Sequence, residues 1–155
     1  MKNDQIKYIP VTGEDRAFFI HVHHTAYRDA IEKMFGWDEV LQDRYANHAF
    51  DEGGMNIIWH KGKSIGVFGW EGRNYHIWLK ELFLLPEHQG WGIGSQIINN
   101  TISRAESLEK DVRLRTLKAN LRAKKLYERH GFEVTEANDL HWNMVRQYIR
   151  EDLSE

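Results

Sequence analysis

Glu81-Leu82-Phe83-Leu84-Leu85-Pro86-Glu87-His88-Gln89-Gly90-Trp91-Gly92-Ile93-Gly94-Ser95 runs from an apolar strand through a proline stop and a glycine-rich turn into the start of a helix. Pro86 has no N–H to give a strand ladder, so the strand ends there. Gly90, Gly92 and Gly94 leave the turn without Cβ atoms, so successive amides can converge on an anion while the next helix adds its dipole. A diphosphate is the natural ligand of such a turn. The dinucleotide fingerprint would need glycine where Ile97 stands and would follow the first strand of a parallel sheet. No Lys-Ser/Thr pair follows the glycines, which excludes a Walker A loop.

Upstream of this stretch the pattern is a meander. Asn56-Ile57-Ile58-Trp59-His60 and Ile65-Gly66-Val67-Phe68-Gly69-Trp70 flank a Lys61-Gly62-Lys63 turn, and a second turn near Gly72 leads into a strand over residues 75–85. Before the meander, alternation in Ile6-Lys7-Tyr8-Ile9 predicts a short strand. Thr12 with Asp15 opens a helix to about Met34, and Asp38 caps another to about Ala49. Downstream, Ile93, Ile97, Thr101, Ala105 and Leu108 recur at helical spacing. Val112, Leu114 and Thr116 alternate as a strand, and Asn120 caps a helix that ends at Gly131. A strand, a helix and a strand in succession imply a parallel crossover. Phe132-Glu133-Val134 and His141-Trp142-Asn143-Met144-Val145 close the chain as antiparallel strands.

The expected fold is therefore α/β (α+β), a single domain over residues 1–155, which is a length that buries roughly 70% of the unfolded surface. With 41% hydrophobic and 28% charged residues, the composition is globular. No apolar run approaches the roughly 18 residues of a membrane span, and the polar start has no export signal. The absence of cysteine excludes a disulfide scaffold, a thiolate nucleophile and Cys-ligated metals, so the cytoplasm is the expected compartment. A formal charge of -2 gives no general pull toward nucleic acid or membrane. Within that sum, residues 110–129 are strongly basic and residues 14–52 acidic, suiting one anionic and one cationic ligand, although solvated helix faces also produce such runs.

Gln89-Gly90-Trp91-Gly92-Ile93-Gly94 matches Gln/Arg-x-x-Gly-x-Gly/Ala, and Asn120-Leu121-Arg122-Ala123-Lys124-Lys125-Leu126-Tyr127-Glu128-Arg129-His130-Gly131-Phe132 matches Asn-x-x-Ala-x-x-x-Tyr-x-x-x-Gly-Phe. In these two blocks, and in its order of elements, the chain resembles the GNAT superfamily of acetyl-CoA-dependent N-acetyltransferases. The resemblance implies a mixed, mostly antiparallel sheet of about six to seven strands with about four helices, its central parallel strands splayed where coenzyme A enters. It implies acetyl-CoA as co-substrate, with no metal, and a small-molecule or peptide amine as acceptor. By the same resemblance Gln89, Gly90, Trp91, Gly92, Ile93, Gly94 and Ser95 hold the pyrophosphate. Leu82, Phe83 and Leu84 pair with pantetheine, while Asn120, Ala123 and Tyr127 line the cofactor. A homodimer, common in the family, is compatible with it.

Tyr127 is the general acid that the resemblance implies, donating to the departing thiolate. With Gly131 as C′, it is also placed to be the apolar partner of Phe132 in a Schellman cap. Glu81 shares a strand face with Ile77, Leu79 and Phe83, where desolvation would raise its pKa and suit it as the base; a buried structural acid fits the same position. The acidic stretch with Tyr27, Trp37 and Asp38 suggests where a cationic acceptor binds. His21, His23 and His24 lack a helical metal-binding pattern, so no metal is expected. Trp59, Trp70, Trp78 and Trp142 lie in strands and suit core or cleft walls. The alternatives are a non-catalytic acyl-CoA sensor and an interaction protein presenting Tyr27, Trp37 and Trp70.

Overall fold

The computed structural model describes residues 6–149; the polar start, read above for export, lies outside them. Strand β1 (Ile6–Pro10) leads through a 3-10 turn (Gly13–Asp15) into helices α1 (Arg16–Phe35) and α2 (Glu39–Glu52). The meander follows as β2 (Met55–His60), β3 (Lys63–Gly72) and β4 (His76–Leu84). After a 3-10 turn (Pro86–His88) come α3 (Ile93–Ser107), β5 (Asp111–Leu117), α4 (Leu121–Arg129), β6 (Glu133–Ala137) and β7 (His141–Arg146). The seven strands form one mixed sheet in the order β1-β2-β3-β4-β5-β7-β6. No helix among the described residues is long and apolar enough to cross a membrane.

The chain gathers into two compact units, one holding the residues up to Trp70 with Lys80–Gly94, the other Glu71–Leu79 with the residues from Ser95 on. In the first unit, β1 pairs antiparallel with β2 and β2 with β3. Its core is Phe19 and Val22 of α1, Phe50 of α2, Met55 and Ile57 of β2 and Val67 of β3, with Phe83 and Leu85 packed against it. The local signals behind the helices are visible: Asp15 accepts the Thr12 N–H at 2.8 Å, and Asp38 accepts the Leu41 N–H at 3.1 Å.

Gly66 of β3 lies against the backbone at the end of β4. A Cβ there would lie 2.2 Å from the Phe83 carbonyl oxygen and 3.0 Å from Leu84 Cα. Both are backbone atoms that no rotamer change can move. Gly66→Ala should therefore destabilise the fold by about 3 kcal/mol and displace Phe83 and Leu84. Urea unfolding checks this, and a variant as stable as the wild type would contradict it.

In the second unit β4 and β5 run parallel from His76↔Asp111 to Leu79↔Leu114, although β4 continues to Leu84 and β5 to Leu117. β7 pairs antiparallel with both β5 and β6. As the alternation predicts, Val112, Leu114 and Thr116 are buried while Arg113 and Arg115 are exposed. The stripe Ile93, Ile97, Thr101 and Ala105 is buried as expected, but Leu108 is 47% exposed because α3 ends at Ser107.

Candidate active site

In the first unit the end of β4 carries Glu81, half-buried, with Leu82, Phe83 and Leu84 beyond it. The Tyr27 hydroxyl donates to Glu81 Oε2 at 3.4 Å, and its ring meets Phe83 edge-on with centroids 5.0 Å apart. The Tyr27 ring also packs against His23, whose centroid is 4.6 Å away. Helical spacing puts residues 23 and 27 on one face of α1. The structure thus joins Tyr27 to Glu81, two residues singled out from distant parts of the sequence. Trp37 belongs to the same aromatic series, 5.1 Å from the His24 ring, with the Arg28 guanidinium over its face. Asp38 has a structural task as the cap of α2.

His23 is 5% exposed, and burial, reinforced by His24, lowers its pKa from the usual 6.5 to about 4. Its Nδ1 lies 3.3 Å from His24 Nδ1, and His24 Nε2 lies 2.6 Å from Asp43 Oδ1. An unfolded chain takes up the His23 proton below pH 6.5, whereas the native one resists until about pH 4. Stability is therefore fully present above pH 6.5 and lost as pH falls toward 4, by about 3 kcal/mol from this group. His76, His130 and His141, each lowered chiefly by burial, add in the same direction. Urea unfolding across this range should show a steep acid slope that His23→Phe reduces, and equal slopes would contradict the assignment.

His24, Glu39 and Asp43 place ligand atoms within 4.8 Å of one another. Each is engaged by protein groups: His24 by Asp43, and Glu39 by Arg28 at 3.2 Å and by the Trp37 N–H. His21 is exposed, so the three histidines do not converge.

The turn after β4 folds back on its strand. Gln89 Nε2 donates to the Leu84 carbonyl at 2.9 Å, and the His88 and Gln89 amides donate to Leu85 and Pro86. Gly90 and Gly92 have φ of 82° and 81°, a region that L side chains rarely occupy. Among the described residues, no atom other than those of Gly92 and its two chain neighbours stands within 4 Å of where a Gly92 Cβ would be, so the turn borders open space. Trp91 is 72% exposed, whereas Ile93 is buried and anchors the first turn of α3, on which Gly94 and Ser95 follow. The geometry fits a diphosphate: a glycine turn with free space on one side and a helix start on the other.

In the second unit Asn120 caps α4, its side chain accepting the Ala123 N–H at 3.0 Å. Tyr127 is buried, and its carbonyl accepts the Phe132 N–H at 3.1 Å while Glu128 accepts that of Gly131. These are the two bonds of a Schellman motif, with Gly131 at φ 87°. The Tyr127 and Phe132 rings meet edge-on at 5.7 Å. The capping task foreseen for Tyr127 is present, carried by its carbonyl and its ring. Part of the basic run is tied up locally: Lys124 pairs with Glu128 at 3.1 Å and stands over Trp142, and Lys110 donates to the Arg73 carbonyl. His130 was not foreseen. Its Nε2 lies 3.1 Å from Ser95 Oγ and its Nδ1 3.1 Å from Asn99 Oδ1.

The acetyltransferase (GNAT) domain family matches residues 51–134, more than half of the chain. The chain belongs to this family. It is 41% identical over 76 residues to the thialysine N-epsilon-acetyltransferase of Bos taurus, a match covering 46% of this chain and 42% of that protein. The chain thus spans under half the length of that relative. Its fold is similar to the PaiA N-acetyltransferase of Thermoplasma acidophilum solved with coenzyme A, at a TM-score of 0.74 and 15% identity, covering 93% of this chain and 99% of that one. The ribosomal-protein-S18-alanine N-acetyltransferase of Escherichia coli is similar at 0.68 and 16%, covering 97% and 99%.

Proposed function

We propose that this protein transfers the acetyl group of acetyl-CoA to a primary amine by direct attack in a ternary complex. The observation that carries the reading is the turn at Gly90 and Gly92, which has positive φ, borders open space and enters a helix anchored by Ile93. Its amides and Ser95 would hold the pyrophosphate, and the β4 backbone at Leu82, Phe83 and Leu84 would run alongside pantetheine. Asn120 and Ala123 would line the arm.

Glu81, or a water it holds, takes the proton of the ammonium. The freed nitrogen attacks the thioester carbonyl, the carbon–sulfur bond breaks as Tyr127 gives its hydroxyl proton to the sulfur, and the second proton that the nitrogen sheds as the amide forms returns through water to the tyrosinate. With no cysteine, the chain cannot form an acyl-cysteine intermediate. Tyr27, from the acidic segment, bonds the Glu81 carboxylate, and Trp37 lies further along the same segment, which favours a cationic acceptor. The name of the bovine relative makes thialysine and lysine-like amines the first to try. The chain would act as one domain, in the cytoplasm, without nucleic acid, membrane or metal, alone or as a homodimer.

The test is release of free thiol from acetyl-CoA across an amine panel. Tyr127→Phe, assayed on the amine that reacts, should lose about tenfold to a hundredfold in turnover while its stability changes by about 1 kcal/mol, because the ring still caps α4. Its loss stays partial because a thiol of pKa near about 8.5 leaves tolerably as thiolate. Wild-type turnover in this variant would remove Tyr127 as the acid, and binding of acetyl-CoA with no thiol release on any amine would favour the sensor reading.

A further inference from the structure

His130 sits at the C-terminal cap of α4, half-buried, with each ring nitrogen facing a side chain of α3. Asn99 presents its carbonyl oxygen to Nδ1, so Nδ1 carries the hydrogen. In the neutral ring Nε2 then has only a lone pair, and it can bond Ser95 only by accepting the hydroxyl proton. A hydroxyl has one proton to give, so Ser95 spends it on His130. Once the ring is protonated the bond reverses: Nε2–H donates to Ser95 Oγ, and the serine proton is released for another acceptor. Ser95 lies in the first turn of α3, directly after Gly94, where that acceptor would be a phosphate oxygen.

We propose that His130 is a positioning residue whose protonation turns the Ser95 hydroxyl toward the cofactor diphosphate, so that binding of acetyl-CoA takes up a proton at this histidine. The inference rests on the reading of the glycine turn as a diphosphate site. Every charged group that faces the ring opposes or balances this in a definable way. Burial first, then Arg129 on α4 and Arg146 on β7, disfavours the charged ring. Arg146 donates to the His130 carbonyl at 3.1 Å and pairs with Glu106 of α3 at 3.2 Å. A diphosphate would bring the negative charge that these cations lack and lift the ring's proton affinity. By linkage, affinity for acetyl-CoA must then rise as pH falls through the histidine range. The effect should be about tenfold, the scale of one charge-assisted hydrogen bond.

Calorimetry of the whole protein with acetyl-CoA, in two buffers of different ionisation enthalpy at about pH 6 and about pH 8, measures both affinity and proton uptake. A 3′-dephospho analogue run in parallel removes the titration of the 3′-phosphate. The wild type should take up a fraction of a proton and bind about tenfold more tightly at the lower pH. His130→Gln gives Ser95 a permanent N–H donor and should hold the tight state at both pH values with no uptake. His130→Leu has no donor and should hold the weak state at both. Should either fail to fold, Ser95→Ala, which keeps the histidine and removes the hydroxyl, should bind as weakly as His130→Leu at about pH 6, and wild-type affinity there would contradict the serine's part in it. Binding without uptake or pH dependence in the wild type, or uptake that persists in the His130 variants, overturns the inference. Failure of the wild type to bind acetyl-CoA at all overturns the functional reading, and this inference with it.

Discussion

Gly92→Asp should bind acetyl-CoA at least about a hundredfold more weakly than the wild type while remaining folded. The backbone at Gly92 has φ of 81°, which costs an L-residue about 1 kcal/mol, and this alone would not unfold a domain. Since no described residue beyond its chain neighbours comes within 4 Å of the new Cβ position, the side chain is accommodated by the open space of the turn. That space is where the diphosphate is proposed to lie. A carboxylate about 4 Å from a phosphate oxygen costs about 4 kcal/mol at the effective dielectric of a protein surface, before any steric exclusion is counted. Gly92→Ala carries the strain without the charge and should lose much less. Calorimetry of the two variants separates these terms. A folded Gly92→Asp protein with unaltered affinity would place the cofactor elsewhere.

The second large effect is expected at Glu81. Glu81→Gln preserves the shape and the acceptor for the Tyr27 hydroxyl, so packing against Phe83 should survive. It removes the base. At neutral pH, where a primary amine is almost wholly protonated, turnover should fall on the order of a hundredfold. Raising the pH generates free amine without help from the protein, so the variant should recover part of that loss as pH increases. Tyr27→Phe gives a useful comparison, since it releases the carboxylate from its hydrogen bond without removing it. An unchanged rate and pH profile in Glu81→Gln would leave the residue with a purely structural task.

Much of this arrangement could be read before any coordinates. Apolar runs between glycine turns set out β2, β3 and β4, period-two alternation set out β5, and the strand stopped by Pro86 was expected to reach residue 85, one beyond the end of β4, because local rules dominate where turns need glycine and proline ends a ladder. The Schellman bonds around Gly131 followed from spacing alone. Other features had no local signature. All five residues of β6 are exposed and its register shifts between Val134 and Glu136, so burial imprints no alternation on it. Leu108 continues the helical stripe in sequence but lies past the end of α3. The bonds from His130 to Ser95 and from His24 to Asp43 join residues 35 and 19 positions apart. Only the tertiary fold, which brings the end of α4 beside α3 and packs α1 with α2, creates them. His23 was noticed as one of three histidines and tested as a metal ligand, whereas its place in the fold is a buried neutral ring behind Tyr27.

The central claim is the transfer itself, and the most direct measurement follows the acetyl carbon. Incubation of the wild-type protein with acetyl-CoA labelled in the acetyl group and with the amine selected from the panel should yield an amide-linked label on that amine. Mass spectrometry should find one acetylated amine for each free thiol released. Thiol release without label on the amine, or tight binding of acetyl-CoA with no label transferred to any amine of the panel, would contradict the account.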